Sequence, residues 1–130
     1  MTRILIVEDD PFLRVWLVRI LGSDRYEVDV AKDGWEGLRL LEHQEYSLIL
    51  LDLVMPIISG FEVLEVLKRE RREIPTIIMS GIVLPEVHDY LKPHAKALIL
   101  SKPLSEESLL PALEYLLDKT GAHRRPSSGN

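Results

Sequence analysis

The chain has 130 residues, which is room for one compact domain, and its 46% apolar and 28% charged composition predicts a folded chain with a sizeable core rather than a disordered one. Lys and Arg number 16 against 21 Asp and Glu, and the net charge of −5 argues against a module that binds nucleic acid by neutralising its phosphates. The absence of cysteine excludes disulfides, iron–sulfur clusters, zinc–thiolate sites and thiol nucleophiles.

The first part of the chain alternates short apolar runs with segments of helical periodicity. Residues 4–7 are continuously apolar, as in a central parallel strand that is covered on both faces. Asp10 then supplies a cap for a helix over residues 11–21, which begins with proline. Residues 26–30 alternate apolar and polar, which predicts a half-exposed edge strand, and residues 33–43 open like a capping box and predict a second helix.

The middle of the chain repeats the same alternation. Residues 47–51 predict another buried strand, which ends at Asp52. Ser59 and Glu62 have the capping-box spacing at the start of a third helix. Residues 76–79 are again aliphatic and predict a fourth strand, closed by a serine and a glycine.

The last part contains two predicted helices and one strand. Residues 85–91 lie between prolines and fit only a short fourth helix, and residues 97–100 predict a fifth strand. Ser105 begins a final helix whose first turn carries two acids, as the helix dipole favours. Pro111 lies inside that helix and should kink it or delay its start.

The predicted elements all fall in residues 1–119, which we expect to form one domain. Residues 120–130 have the composition of a linker and predict a flexible tail. A helix needs about 20 apolar residues to cross a bilayer, and no apolar stretch of the sequence is nearly that long. The amino terminus lacks the pattern of a signal peptide, so we expect a cytoplasmic protein with no membrane contact.

Alternating strands and helices predict an α/β fold with a parallel sheet, whose right-handed crossovers bring the carboxyl ends of all strands to one edge. Polar residues stand at these ends: Glu8, Asp9 and Asp10 after the first strand, Asp52 after the third, Ser80 after the fourth, and Ser101 and Lys102 after the fifth. Two like charges about 4 Å apart repel by roughly 4 kcal/mol at an effective dielectric of 20. Converging acids with a single lysine therefore predict a hard divalent cation, and an all-oxygen site open to water suits Mg²⁺.

Four motifs in this order resemble the receiver domain of two-component response regulators. They are Ile-Leu-Ile-Val-Glu8-Asp9-Asp10-Pro, Leu-Leu-Asp52-Leu-Val-Met-Pro56 with Gly60, Ile-Met-Ser80-Gly81, and Ser-Lys102-Pro103. The resemblance extends from about Arg3 to Leu117. It implies a doubly wound, flavodoxin-like (βα)5 fold with three layers and the strand order 2-1-3-4-5.

The resemblance also implies a metal site and a phosphoacceptor. Asp52 would attack a histidine-bound phosphoryl group to form an aspartyl phosphate, and it would share Mg²⁺ with the acidic pair. Asp9 would be a direct ligand, Glu8 would act mainly through water, and the backbone carbonyl of Val54 would complete the protein ligands. By contrast, Asp10 is expected to cap the first helix rather than to bind metal.

Two further residues would contact the phosphoryl group according to the same resemblance. Lys102 would pair with a phosphoryl oxygen and balance the charge of Asp52, and its bond to Pro103 is typically cis in the family. Ser80 would donate a hydrogen bond to the phosphoryl group and move on activation. Phosphoryl transfer depends mainly on positioning and charge stabilisation, which this set of residues can supply.

The chain departs from the family pattern in ways that bear on switching and on the lifetime of the phosphoryl group. Ile99 stands where the family often has the Tyr or Phe of its rotamer switch, so aromatic flipping is unavailable. The Gly-Ala step common before the fifth strand is replaced by Ala95 and Lys96. According to the same resemblance, Val54 and Ile82 occupy the two positions that flank the path of the hydrolytic water, and their branched apolar side chains predict slow autodephosphorylation.

The first predicted helix is apolar almost all round, which indicates exposed apolar surface or a partner. In the family this helix docks on the bundle that carries the phosphohistidine, so Phe12, Val15 and Trp16 are candidate contacts, whereas Trp35 is expected to be a packing residue. The implied donor is a sensor histidine kinase or a histidine phosphotransfer protein, and the implied target is an output protein or domain.

We expect a monomer or weak dimer without direct nucleic-acid binding. We also expect the chain to be a signalling switch and not a turnover enzyme.

Three alternatives stay open at this point. A phosphatase or phosphotransferase with an aspartyl nucleophile would share the sheet, although the haloacid-dehalogenase-like pattern needs a second acid that is absent two residues after Asp52. A flavodoxin-like FMN carrier would need a hydroxyl- or glycine-rich phosphate cradle where the chain has acids. A receiver-like interaction module that is never phosphorylated is the third.

Overall fold

A computed structural model of the protein describes residues 2–22, 25–55, 57–81, 85, 88–89 and 96–120, with side chains up to residue 118. The strands are β1 (Thr2–Val7), β2 (Tyr26–Ala31), β3 (Leu48–Asp52), β4 (Thr76–Ser80) and β5 (Ala97–Ser101). The helices of these residues are α1 (Pro11–Leu21), α2 (Gly34–His43), α3 (Gly60–Arg69) and α4 (Glu106–Thr120). The predicted helix at residues 85–91 lies largely outside the described residues.

All neighbouring strands pair in parallel, in the order β2-β1-β3-β4-β5. The central strands β3 and β4 are buried along their whole length, whereas β2 at one edge and β5 at the other are partly exposed. These observations confirm the predicted α/β fold, its strand order and the half-exposed edge strand. The order also places β1 and β3 side by side, so the residues that follow them meet at one edge of the sheet.

Successive side chains of the central strands point to opposite faces of the sheet and form two separate cores. Leu5, Val7, Ile49 and Leu51 pack in one core with residues of α2 and α3, including Leu64. The alternate positions pack with residues of α1 and α4, and these include Ile4, Ile6, Leu48, Leu50, Leu17 and Leu113. The sheet is therefore the middle of three layers, which explains why its strands are continuously apolar.

The helices begin where their capping residues predict. Asp10 accepts a hydrogen bond from the Phe12 amide at 2.9 Å and so caps α1. Ser59 and Glu62 make both bonds of a capping box at the start of α3. Asp33 accepts from the Glu36 amide at 2.8 Å. These caps fix the loops that carry the polar residues of the sheet edge.

The structure contradicts the expectation for Trp35 and one of the two alternatives for Pro111. The last helix is not delayed by Pro111, because α4 begins at Glu106 and continues through the proline, whereas a kink at Pro111 stays a prediction. Both Pro111 and Glu107, whose carbonyl loses an amide partner, lie on the exposed side of α4, where water can replace the missing hydrogen bond. Trp35 is not a packing residue: it is 53% exposed, and the Arg39 guanidinium lies 5.1 Å from its ring centre.

None of the helices in the described part of the chain has the length and apolar character needed to cross a membrane.

Candidate functional site

Three carboxylates meet at the carboxyl edge of the sheet. Glu8 and Asp9 follow β1, and Asp52 ends the neighbouring strand β3. One carboxylate oxygen from each residue lies within 4.8 Å of the others. Glu8 is fully buried and Asp52 is only 4% exposed, whereas Asp9 is exposed to solvent. The cluster is therefore a mostly buried site that is open to solvent on the side of Asp9.

Lys102 joins these acids from the end of β5. Its Nζ lies 2.9 Å from Oε1 of Glu8 and 3.2 Å from Oδ2 of Asp52. The backbone amide of Lys102 donates to the carbonyl of Ser80 at 2.8 Å, and the following bond to Pro103 is cis. Ser80 ends β4 and is 2% exposed, so the hydroxyl-bearing residue stands between the strands that supply Asp52 and the lysine.

Backbone amides orient the two buried carboxylates. The Val54 amide donates to Oδ1 of Asp52 at 3.2 Å, and the Asp10 amide donates to Oε2 of Glu8 at 3.0 Å. The remaining oxygen of each carboxylate faces Lys102. Oε1 of Glu8 is a buried atom with no hydrogen-bond partner among the described residues, and its close contact is the ion pair with Nζ of Lys102.

Burial dominates the electrostatics of the site without a bound cation. Desolvation raises the pKa of Glu8 to about 7, and the hydrogen bond from Asp10 and the Lys102 ammonium only partly oppose it. Desolvation likewise raises the pKa of Asp52, against the favourable charge of Lys102. For Lys102 itself burial lowers the pKa, but the two carboxylates outweigh it and hold its pKa above the ordinary value.

The residues at this edge fit a small, hard cation. All the available donors are oxygens, one carboxylate is open to solvent, and one buried carboxylate oxygen lacks a directed hydrogen bond. Mg²⁺ prefers such ligands and keeps several waters, for which the exposed side of Asp9 leaves room. Asp10 does not belong to the cluster, since its carboxylate caps α1 as expected.

Two features, one at the site and one in the loop after Asp52, were not predicted from the sequence. Arg14, on α1, donates from Nη1 to the carbonyl oxygens of Glu8 at 2.9 Å and Asp9 at 3.0 Å. Ile57, in the loop between β3 and α3, has a φ of 71° and is 83% exposed. The signal for Arg14 was its position as one of two polar residues in an otherwise apolar helix. No comparable signal exists for Ile57.

Comparison with known proteins identifies the class of protein to which this fold and site belong. The family description "Response regulator receiver domain" matches residues 4–114, and the chain belongs to this family. It is therefore a receiver domain, a signalling switch of two-component systems. Membership of this family excludes the alternative that the chain is a flavodoxin-like FMN carrier.

Individual relatives agree with this assignment. Response regulator MprA of Mycobacterium sp. (strain KMS) is 30% identical over 97% of the chain, which covers 55% of that protein. A CheY-like receiver domain protein from Methanospirillum hungatei JF-1 is 30% identical, with a TM-score of 0.85 over 94% of this chain and 98% of its own. TrrA from Thermotoga maritima, solved in complex with Mg²⁺-BeF, is 30% identical, with a TM-score of 0.77 over 90% of this chain and all of its own. The chain spans about half the length of the curated relatives it matches.

Proposed function

We propose that Asp52 is the phosphoacceptor of this receiver domain and takes a phosphoryl group from a phosphohistidine in the presence of Mg²⁺. The observation that supports this most directly is the convergence of three carboxylates within 4.8 Å, with Lys102 against the two buried ones. Asp52 is the member of the cluster at the end of a central strand, held by a backbone amide and beside the lysine. Those contacts fix the direction of its oxygens before any ligand arrives.

The transfer needs one bond to form and one to break. An oxygen of Asp52 attacks the phosphorus of the phosphohistidine, and the phosphorus–nitrogen bond breaks with its electron pair returning to the imidazole ring. The product is an aspartyl phosphate and a free histidine on the donor. Because the carboxylate must be ionised to attack, a raised pKa of Asp52 disfavours the reaction until a cation lowers it.

The metal ligands in this proposal are Asp9, Asp52, the backbone carbonyl of Val54 and, mainly through water, Glu8. Bound Mg²⁺ supplies charge neutralisation for the acids and for the phosphoryl oxygens. Glu8 and Asp52 provide the buried negative charge, and Asp9 provides the side that is open to water. The printed sequence offers no thiol or paired histidine that would favour a softer metal.

Lys102 and Ser80 act on the phosphoryl group after transfer. Lys102 already bridges Glu8 and Asp52, so its ammonium needs only a small movement to reach a phosphoryl oxygen. Ser80 supplies a hydroxyl from the adjacent strand. Ile99 is partly buried against the core of α2 and α3, so the conformational signal would pass through aliphatic packing rather than through an aromatic flip.

The proposal extends to the partners and boundaries of the domain. Its donor is a sensor histidine kinase or a histidine phosphotransfer protein in the cytoplasm, and its output is a protein or domain without direct nucleic-acid contact by this chain. The receiver domain comprises residues 1–119, with residues 120–130 as tail or linker, and it acts as a monomer or weak dimer. It assists its own dephosphorylation slowly, because branched Val54 stands beside the site.

Mass spectrometry after incubation with acetyl phosphate and Mg²⁺ tests the proposed function. We expect the wild-type chain to gain the mass of one phosphoryl group and Asp52→Asn to gain none. Asp118→Asn, which alters an exposed aspartate on α4, is the matched control and should label as the wild type does. Equal labelling of Asp52→Asn would overturn the assignment, and no labelling of the wild type would favour the interaction module that is never phosphorylated.

A further inference from the structure

We infer that Arg14 is a positioning residue, which holds the turn after β1 so that Glu8 and Asp9 present their carboxylates to the cation. The inference rests on the proposed magnesium site, since it concerns the geometry of that site's acids. The hydrogen bonds from the Arg14 side chain to this turn go to backbone oxygens rather than to carboxylate oxygens. It donates from a single nitrogen, Nη1, to the carbonyl oxygens of both residues, at 2.9 and 3.0 Å.

This double contact shows that the chain has turned sharply at the acidic pair. In an extended strand successive carbonyl groups point in opposite directions, and one nitrogen cannot reach two of them. Here the carbonyl oxygens of Glu8 and Asp9 converge on the same guanidinium nitrogen. The guanidinium therefore satisfies two carbonyl groups that the sheet no longer pairs and fixes their relative direction.

The same turn is held from the other side by its own atoms. The Asp10 amide donates to Oε2 of Glu8, and the Arg14 amide donates to the Asp10 carbonyl at 3.0 Å as the first bond of α1. Arg14 thus contacts Glu8 and Asp9 with its side chain and Asp10 with its backbone amide. Removing the guanidinium leaves the contacts of the Glu8 carboxylate with the Asp10 amide and Lys102 in place, but it removes the donor that holds the backbone carbonyls of Glu8 and Asp9.

Charge and positioning predict opposite results for the removal of Arg14. Arg14 is a fixed positive charge near a cation site, so its loss should strengthen Mg²⁺ binding if charge alone matters. If positioning matters, the loss should weaken binding, and groups that orient metal ligands typically contribute about 10- to 100-fold in affinity. The sign of the change therefore separates the two explanations.

Calorimetric titration of Mg²⁺ into the wild type, Arg14→Ala, Arg14→Lys and Arg19→Ala tests the inference. We expect Arg14→Ala to bind Mg²⁺ about tenfold or more weakly. Arg14→Lys keeps the charge and one donor group, and it should recover part of that loss. Arg19→Ala removes an exposed arginine from the last turn of the same helix and should bind as the wild type does.

The outcomes distinguish this inference from the proposed function. If the wild type takes up no Mg²⁺, the magnesium site itself fails. If the wild type binds and Arg14→Ala binds equally or more tightly, the positioning role alone is overturned. If Arg14→Ala does not fold, as circular dichroism in EDTA would reveal, the comparison falls to Arg14→Lys: weaker binding than the wild type supports the role, and equal binding refutes it.

Discussion

At the residue scale, the buried carboxyl groups of Glu8 and Asp52 work against the stability of the fold. One ammonium group, that of Lys102, faces both of them, and desolvation raises both pKa values. Moving a charge out of water costs several kcal/mol per ion, and a buried salt bridge recovers this cost only in part. A site that is unfavourable when empty gains the most from a bound cation, which is the behaviour expected of a metal-dependent switch.

Ile57 is a second residue whose conformation is unfavourable in the fold. A β-branched side chain at a φ of 71° is strained, and 83% exposure means that burial returns little in exchange. We predict that Ile57→Gly raises the free energy of unfolding by about 1 kcal/mol, because glycine adopts this conformation without strain. Thermal or urea denaturation in EDTA measures the change.

Val54→Gly is the matched control for that experiment. Val54 is 71% exposed in the same loop, but it is not among the described residues with a positive φ. There glycine should lower stability through the entropy of the unfolded chain. A destabilised Ile57→Gly would show that the left-handed conformation carries no strain.

Val54 also bears on the lifetime of the aspartyl phosphate. Its backbone amide donates to Oδ1 of Asp52 at 3.2 Å, and its exposed side chain has no group that could form a hydrogen bond with an approaching water. We predict that Val54→Asn accelerates loss of the phosphoryl group, because an amide can orient the attacking water. Release of inorganic phosphate from the labelled protein gives the rate, and an unchanged rate would remove this explanation. Ile82, the other residue expected to flank the water, lies outside the described residues.

At the scale of single elements, α1 has two functional sides. One side packs on the core through Leu17 and Leu21, while Phe12 is 85% exposed and Val15 is 58% exposed. Trp16 is only partly exposed and packs against the same core, so it is a weaker candidate for partner contact than the sequence suggested. The exposed apolar side begins one turn from the acid cluster, on the side from which the proposed protein donor would approach.

We predict that Phe12→Ser slows phosphotransfer from a histidine kinase that labels the wild type but leaves labelling by acetyl phosphate unchanged. The side chain is too exposed for its loss to disturb the core, so a selective effect reports on docking. Trp35→Ser, which alters an exposed aromatic residue on α2, is the control. Equal slowing with both donors, or none with the kinase, would contradict a docking role for α1.

The elements show how far sequence reasoning reaches and where it stops. Caps such as Asp10 and Ser59 are local devices, so the starts of α1 and α3 were predictable from a few neighbouring residues. The acid cluster was predictable because topology alone brings strand ends together. The bonds of Arg14 and the exposure of Trp35 depend on how side chains settle in three dimensions, which periodicity does not determine.

At the scale of the whole molecule, protonation of Glu8 and Asp52 is coupled to the free energy of unfolding. The ordinary pKa of a glutamate is 4.5, and that of folded Glu8 is about 7, so the folded state holds this proton more tightly than the unfolded chain does. Its stabilising contribution is complete below the unfolded value and is lost as the pH rises through about 7. The raised pKa of Asp52 acts with the same sign.

We therefore predict that Mg²⁺ and EDTA give diverging melting temperatures as the pH rises from about 5 to about 8. Metal ligands must be deprotonated, so the stabilisation by Mg²⁺ grows over the range in which the metal-free protein loses the stabilising proton. Thermal denaturation across this range measures the difference. Glu8→Gln should flatten the dependence in EDTA, and a constant difference between Mg²⁺ and EDTA would contradict this coupling.

The most direct test of the account uses beryllium fluoride, the phosphoryl mimic bound with Mg²⁺ in the related TrrA structure. We predict that beryllium, fluoride and Mg²⁺ together raise the melting temperature of the wild-type protein well above its value with Mg²⁺ alone. Asp52→Asn should show no such additional rise, because its side chain no longer offers the carboxylate oxygen to which the mimic binds. An equal rise in Asp52→Asn, or none in the wild type, would contradict the assignment of Asp52 as the phosphoacceptor.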